Sequence, residues 1–191
     1  RDGTSNEVWA TCNKPLSKND YFEKIASSFG LDHLGDGRFG LLEVKDPEKP
    51  LVSILMHTYK AKWFKEALSS AMNQTYTNIE ILIGDDCPTD DIKNIYERLA
   101  QNDQRVVYHK NTPPLGGWGA GNRYACFKRA KGTFIKYLCD DDVLMPECVE
   151  FLLDSLLENP RASLATSHIE AIDEDGRPKT PQTETVRRLL C

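Results

Sequence analysis

Two groups of adjacent carboxylates have the residue types and spacing that suit chemistry. Asp140, Asp141 and Asp142 are consecutive and form an aspartate triplet, and Asp85 and Asp86 form a pair. Three neighbouring carboxylates repel one another, so the triplet costs free energy unless a cation or water absorbs its charge. Hard oxygen ligands in a short run suit Mg²⁺ or Mn²⁺, which bind one or two carboxylates together with substrate phosphates. The triplet therefore predicts a divalent-metal site.

Both groups also have a purely structural interpretation. One carboxylate of the triplet would cap the helix that is predicted to begin near Pro146. The Asp85–Asp86 pair would complement the dipole of a helix beginning at Thr89. In the functional interpretation, one carboxylate of the pair accepts a hydrogen bond from the N3–H of uracil, because an imide donor requires an acceptor. The other would bind a ribose hydroxyl.

A glycine-rich segment, NTPPLGGWGAGNRYA (111–125), supplies further candidates for ligand binding. Glycines let the backbone approach a ligand closely, although they are equally typical of a turn. Trp118 lies among the glycines, where a large aromatic ring often contacts a base or a sugar. Arg123 would offer its guanidinium to a diphosphate. Lys128 and Arg129 would do the same, unless they lie on a solvated helix face.

Short apolar runs predict the strands that position these candidates. Such runs indicate strands covered on both faces, and the amphipathic segments between them indicate helices. We expect strands at residues 51–56, 79–84, 105–109, 133–138 and 163–168. We expect helices at residues 60–74, 89–101, 121–132 and 146–159. Thr89 is the expected N-cap of the second helix. Strands that alternate with helices predict an α/β fold with a mostly parallel central sheet flanked by helices.

The candidate residues follow the predicted strands directly. His57, Thr58 and Tyr59 come after the first strand. Asp85 and Asp86 come after the second, and the aspartate triplet comes after the fourth. Ligands bind beyond the carboxyl ends of the strands in an open α/β sheet. We therefore expect these residues to form one binding site.

Ordered motifs over residues 50–175 resemble those of the family 2 glycosyltransferases, the inverting enzymes of GT-A, Rossmann-like fold. The family usually opens with a strand and P-T-Y-N, to which LVSILMHTYK is similar. Its pattern L-x-Q-T-Y-x-N-x-E-I-x-x-x-D-D-x-S-x-D resembles AMNQTYTNIEILIGDDCPTD. Its pattern A-x-G-x-Y-I-x-x-L-D-x-D-D resembles ACFKRAKGTFIKYLCDDD. Several blocks in order are far more specific than any single motif.

The resemblance implies a metal-dependent transfer of sugar from a nucleotide-sugar donor, taken as a UDP-sugar, to an acceptor hydroxyl. It places Asp86 at the uracil, with Asp85 and His57–Tyr59 near the base and ribose. Trp118 and Arg123 remain candidates for the rest of the donor. The alternatives are a UDP-sugar-binding module without catalysis and a nucleotidyltransferase. The latter class usually has a glycine-rich, basic signature after its first strand, which MHTYKAKW lacks.

The resemblance also implies roles within the triplet. Asp140 and Asp141 match the metal-binding D-x-D region, with Asp141 the first choice as a direct ligand of Mn²⁺ or Mg²⁺ and Asp140 also near the donor nucleotide. Asp142 would orient the metal's water shell or contact the donor sugar. Cys139 stands where many relatives carry the first aspartate of the motif. Either Asp140 takes over its role, or the ion has fewer protein ligands.

An inverting transfer also needs a general base to take the proton of the acceptor hydroxyl. The family carries this base far beyond the metal motif, so we expect it beyond Cys191. The acceptor-binding part is then missing from the domain at residues 50–191, and this piece would transfer sugar poorly or only to water. Asp173–Asp175 resemble a surface turn rather than a catalytic group. Residues 1–49 form a predicted extension, helical in part. RDGTSNEVWA lacks the charged-then-apolar pattern of a signal sequence and an initiator Met, so we expect the chain to be a piece of a longer protein.

The composition narrows the class of protein further. The chain has 191 residues, 24 Lys plus Arg and 29 Asp plus Glu, for a net charge of -5. Without a basic cluster it is a poor candidate for nucleic-acid binding. No apolar run approaches the roughly 18 residues that cross a bilayer. Six scattered cysteines without a C-x-x-C pair indicate reduced thiols. We therefore expect a cytoplasmic protein, or one held at the cytoplasmic face of a membrane, with a glycan, lipid-linked or protein acceptor.

Overall fold

The computed structural model describes residues 49–159, 162–179 and 187–190. The predicted extension, apart from its last residue, lies outside the described residues. Four parallel strands form the central sheet in the order β3-β2-β1-β4. They are β1 (Val52–Thr58), β2 (Ile79–Asp85), β3 (Val106–Lys110) and β4 (Phe134–Cys139). The mostly parallel sheet and its first four predicted strands are therefore confirmed.

Four helices connect and flank these strands. They are α1 (Phe64–Met72), α2 (Asp91–Leu99), α3 (Ala120–Arg129) and α4 (Cys148–Glu158). Each corresponds to a helix expected from the apolar periodicity. The N-cap prediction at Thr89 is wrong, because α2 has Asp90 at its N-cap. The Thr89 hydroxyl instead donates a hydrogen bond to the Asp91 carboxylate at 2.7 Å.

The two inner strands of the central sheet, β1 and β2, are buried on both faces as predicted, whereas β3 and β4 are partly exposed. Along β1, Ile54 and Met56 pack into the larger apolar cluster with Phe64 of α1. Leu55 points to the other face, where it packs with Cys126 of α3. Alternating side chains of one strand therefore serve two cores, which explains why the run carries no polar alternation.

A second, three-stranded sheet follows the central one along the chain. It comprises β5 (Val143–Leu144), β6 (Ile169–Ile172) and β7 (Arg187–Leu190), in the order β5-β7-β6. The predicted strand at residues 163–168 is wrong, since strand structure begins only at Ile169. That segment is largely exposed, so it lacks the buried apolar face that stabilises a strand. The predicted turn after β6 is present, and Gly176 there has a φ of 80°.

Cysteine usage differs from the prediction of six reduced thiols. Cys87, Cys126 and Cys139 are thiols, but Cys148 is disulfide-bonded to a partner outside the described residues. The prediction that all six cysteines are reduced thiols is therefore wrong. Among the described residues, no helix has the length and apolar character to span a membrane.

Candidate functional site

The carboxyl ends of β1, β2 and β4 lie side by side at one edge of the sheet. His57 pairs in register with Gly84 on one side and with Cys139 on the other. The backbone N–H of Asp86 donates to the carbonyl of Thr58 at 3.0 Å, which continues the contact beyond the strands. The structure therefore brings together the three segments that the sequence predicted to converge.

Asp85 is fully buried and bonded to protein groups through both carboxylate oxygens. Its Oδ1 accepts from the backbone N–H of Cys87 at 2.7 Å. Its Oδ2 accepts from the Tyr108 hydroxyl at 2.6 Å and from the Lys110 ammonium at 3.1 Å. Burial, and then the hydrogen bond to Asp85, raise the pKa of Tyr108. Asp85 therefore ties β2 to β3, and its predicted place near the ribose stays a prediction.

Asp86 holds the glycine-rich segment in place. Its Oδ1 accepts from the Asn111 side chain at 2.8 Å and from the backbone N–H of Leu115 at 3.1 Å. Its Oδ2 accepts from the backbone N–H of Gly116 at 3.1 Å. Gly116 has a φ of 62°, a conformation that favours glycine. A carboxylate has about four acceptor positions, so a fourth donor can still join these three.

Asn122 is a buried residue of the site that the sequence analysis missed. Its side-chain Nδ2 donates to the carbonyl of Gly84 at 2.7 Å, and its Oδ1 accepts from Asn111 at 3.1 Å. A Cβ on Gly84 would lie 2.0 Å from this Oδ1, so the glycine makes room for the amide. The available signal was spacing: Asn122 lies four residues before Cys126, on the helix face that packs on the sheet.

His57 is neutral and links β1 to the glycine-rich segment and β4. Its Nε2 accepts from the Arg123 guanidinium at 3.2 Å, since a guanidinium only donates. The same Nε2 lies 3.9 Å from the Cys139 sulfur. Burial and the Arg123 charge lower the pKa of His57, although Asp140 and Asp141 act in the opposite direction. The Nδ1 atom is buried without a hydrogen-bond partner.

The remaining donor candidates belong to β1 and the chain that follows it, to the glycine-rich segment and to α3. Thr58 is buried and donates its hydroxyl to the carbonyl of Gly84 at 3.1 Å, whereas Tyr59 is 58% exposed. Arg123 is exposed, and its guanidinium carbon lies 5.5 Å from the centre of the Tyr137 ring. Trp118 belongs to a 3₁₀ turn that directly precedes α3. The site thus combines one exposed cation with exposed aromatic surface, and the roles of these residues stay predictions.

Asp140 has different contacts from its neighbours Cys139, Asp141 and Asp142. The Asp140 carboxylate accepts two backbone N–H groups, from Tyr59 at 2.7 Å and from Lys60 at 2.6 Å. It therefore holds the chain that leaves β1. The possible ligand atoms of Cys139, Asp141 and Asp142 instead lie within 4.8 Å of one another.

That second group has the composition of a metal site. Asp142 is buried, while Cys139 and Asp141 are partly exposed, so an ion has both ligands and a way in. Two carboxylates and a thiol fit a divalent cation, because carboxylates suit Mg²⁺ and Mn²⁺ and a thiolate suits softer ions. The predicted ligand set was Asp140, Asp141 and Asp142. The cluster in the structure has Cys139 in place of Asp140.

A parallel four-stranded sheet with helices on both faces, and with polar side chains at its carboxyl edge, defines the GT-A, Rossmann-like class of fold. Residues 53–190 match the family described as Glycosyl transferase family 2. The chain belongs to this family. The resemblance expected from the sequence motifs is therefore confirmed, and the nucleotidyltransferase alternative loses its basis.

Individual relatives are glycosyltransferases. The chain is 32% identical over 136 residues to an uncharacterized glycosyltransferase of Methanocaldococcus jannaschii, covering 70% of this chain and 46% of that protein. It is 32% identical over 144 residues to the Escherichia coli enzyme WfgD, covering 73% and 55%. WfgD is named as a UDP-Glc:α-D-GlcNAc-diphosphoundecaprenol β-1,3-glucosyltransferase. The chain thus spans about half the length of these relatives.

A solved structure agrees with the fold. Residues 1–349 of S. aureus TarS, crystallised in complex with UDP-GlcNAc, are 25% identical with a TM-score of 0.52. The match covers 58% of this chain and 32% of that chain. The similarity supports the assignment of the GT-A fold.

Proposed function

We propose that this domain binds a UDP-sugar and a divalent cation and serves the transfer of the sugar to an acceptor hydroxyl in glycan synthesis. The observation that carries the proposal is the convergence of the family motifs at one edge of the sheet. Asp86 lies in one motif and Asp141 in another, and the strands that they follow, β2 and β4, both pair with β1. The UDP-GlcNAc complex of TarS and the UDP-Glc specificity in the name of WfgD support a UDP-sugar donor.

The metal would be held by Asp141 and Asp142, whose ligand atoms lie within 4.8 Å of each other and of the Cys139 sulfur. Bound there, a divalent ion supplies charge neutralisation for the departing diphosphate. Asp140 acts differently, since it accepts the backbone N–H groups of Tyr59 and Lys60. It orients the chain at the end of β1, next to the expected position of the donor.

The donor base would bind beside Asp86, where one acceptor position of the carboxylate remains. The N3–H of uracil is a donor, whereas N3 of cytosine is not, so a carboxylate at this position favours uridine over cytidine nucleotides. Arg123 donates one guanidinium N–H to His57, and its other N–H groups would bind the diphosphate. Trp118, Thr58 and Tyr59 complete the proposed donor site.

The proposal for the acceptor is based on what the name of a relative states. WfgD, by its name, transfers glucose to a diphosphoundecaprenol-linked sugar, and we propose a lipid-linked glycan acceptor here as well. Such an acceptor would bring the enzyme to a membrane surface, and the cytoplasmic face remains our proposed location.

We propose that the general base is not among the described carboxylates beyond the metal cluster. Glu150 accepts from the Thr75 hydroxyl at 2.6 Å, Glu174 pairs with Lys62 at 2.9 Å, and Asp173 accepts backbone N–H groups of its own turn. These carboxylates therefore have structural partners. If no base completes the site, the domain is a UDP-sugar-binding module, the second candidate function. Release of free sugar from a UDP-sugar distinguishes slow catalysis from binding alone.

The test of base recognition compares UDP and CDP binding in two variants by calorimetry. Asp86→Ala should weaken UDP binding at least tenfold more than CDP binding, and alter Mn²⁺ affinity less than twofold. Asp90→Ala is the matched control, because Asp90 is an exposed carboxylate at the start of α2. Equal weakening of UDP and CDP would mean that Asp86 only holds the glycine-rich segment. UDP affinity within twofold of the wild type would refute the assignment.

A further inference from the structure

One residue of the metal cluster is chemically unlike the others. Cys139 is the last residue of β4 and occupies the position of the first aspartate in the family motif. We propose that its thiolate is a direct ligand of the metal ion, and that the site consequently prefers Co²⁺ or Zn²⁺ to Mg²⁺. This inference rests on the proposed metal-dependent function, which it deepens by naming the class of ion.

The geometry around Cys139 carries the proposal. Its sulfur belongs to the group whose ligand atoms lie within 4.8 Å of one another, together with Asp141 and Asp142. Side chains at paired positions of neighbouring parallel strands point to the same face, and His57 is paired with Cys139. The imidazole Nε2 accordingly lies 3.9 Å from the sulfur. A thiol, which is a softer donor than oxygen, therefore lies beside the two carboxylates.

The alternative replacement for the missing aspartate is Asp140. Its Oδ2 already accepts two backbone N–H groups at 2.7 Å and 2.6 Å, from Tyr59 and Lys60. A carboxylate that turned toward the ion would leave these donors unpaired, which costs free energy wherever water does not replace it. The Cys139 sulfur, in contrast, already belongs to the cluster with Asp141 and Asp142.

Ligand chemistry sets the direction of the preference. Mg²⁺ demands oxygen ligands in near-ideal octahedral geometry and dehydrates reluctantly, so a thiolate contributes little to its binding. Affinities of mixed nitrogen, oxygen and sulfur sites rise from Mn²⁺ through Co²⁺, and thiolates favour Zn²⁺ strongly. We therefore expect Zn²⁺ and Co²⁺ to bind at least tenfold more tightly than Mg²⁺, with Mn²⁺ between them.

Absorption spectroscopy with Co²⁺ reports the sulfur ligand without any enzymatic activity. Titration of Co²⁺ into the full chain should produce an intense near-ultraviolet charge-transfer band from thiolate to cobalt. Cys139→Ser should abolish the band. Cys87→Ser is the matched control, because it also removes one thiol, the hydroxyl keeps the contact to Thr89, and Cys87 lies outside the cluster. Cys139→Asp should lose the band and gain about tenfold in affinity for Mg²⁺ relative to Co²⁺.

The outcomes separate this inference from the proposed function. A band that survives in Cys139→Ser, or Co²⁺ binding without a band in a wild-type chain that still binds UDP with Mn²⁺, overturns the thiolate ligand alone. A wild-type chain that binds neither metal nor UDP overturns both proposals. Circular dichroism spectra of the two Cys139 variants verify folding, and the aspartate variant provides the reading if the serine variant is unstable.

Discussion

The strand ends of β2 and β4 both carry adjacent aspartates, yet their surroundings are opposite. Asp85 and Asp86 are buried, and together their oxygens accept six hydrogen bonds from protein groups. Cys139 and Asp141 are only partly buried in a group with metal-binding geometry. The position of each strand explains the difference. β2 lies between β1 and β3, whereas β4 lies at the edge of the four described strands.

Similar groups of adjacent aspartates therefore have different roles, depending on how far the surrounding protein encloses them. The fully buried Asp85 is satisfied by the protein itself and is therefore part of the scaffold. A carboxylate at a sheet edge keeps access to solvent and to ions. Substitutions at Asp85 and Gly84 test the structural role, and a substitution at Asp141 tests the binding role.

The largest effect is expected when the scaffold carboxylate is removed. Asp85→Ala leaves the Lys110 ammonium and the Tyr108 hydroxyl without their shared acceptor, so the free energy of unfolding should fall by about 3 kcal/mol. Urea denaturation measures the loss. Asp90→Ala, at an exposed aspartate, should change stability by less than about 0.5 kcal/mol. Equal effects of the two substitutions would contradict the scaffold role.

A smaller effect is expected when the packing behind this scaffold is disturbed. The added methyl of Gly84→Ala would lie 2.0 Å from the Asn122 Oδ1 and 2.6 Å from the Cys126 sulfur. Displacing the buried amide should cost about 2 kcal/mol of stability. Gly116→Ala is an instructive partner, since a Cβ there meets no atom within 4 Å and only the positive φ opposes it. A Gly84 variant as stable as the Gly116 variant would show that the Asn122 side chain moves aside without loss of stability.

At the metal cluster, a substitution should lower ligand affinity without lowering the stability of the fold. Asp141→Ala should weaken Mn²⁺ at least tenfold and reduce metal-dependent UDP binding, because a direct ligand is lost. Its free energy of unfolding should stay equal or rise, because the substitution relieves repulsion among clustered like charges. Calorimetry and urea denaturation of the same preparation measure both quantities. A loss of stability comparable to that of Asp85→Ala would remove the contrast between the two strand ends.

The smallest effect on stability is expected at the surface ion pair of Asp103 and Arg105. The hydrogen bond from the Arg105 side chain lowers the pKa of Asp103 below its usual 3.8. A lowered folded-state pKa stabilises the protein above the ordinary value, and this stabilisation is lost as the pH falls through the folded-state value. Wild type should therefore exceed Asp103→Asn in stability at pH 7, and the difference should vanish under strongly acidic conditions. A difference independent of pH would exclude the carboxylate as its source.

The sequence predicted the first four strands, the four helices and the convergence of the candidate residues, because apolar runs and strand ends are local signals. It did not separate the two uses of the carboxylates. Asp85 and Asp141 look alike in sequence, and only the strand order shows that one end is enclosed by β1 and β3. Asn122 was missed for the same reason, since its partners lie on three other segments.

The second sheet was predicted poorly for a related reason. β5 has two residues, and β7 pairs with strands distant in sequence, so neither carries a periodic pattern of its own. The segment at residues 163–168 has the composition of a strand but little buried surface. Strand propensity reports the fit to a half-buried surface, so it misleads where tertiary contacts do not provide one.

The most direct test of the central claim is a calorimetric titration of UDP into the chain, with and without Mn²⁺ and alongside CDP and GDP. We predict that UDP binds measurably only when Mn²⁺ is present, and that it binds more tightly than CDP or GDP. Such a result joins the enclosed carboxylate Asp86 and the edge cluster at Asp141 in one donor site. Binding of UDP that is indifferent to Mn²⁺, or equal binding of all three nucleotides, would contradict that account.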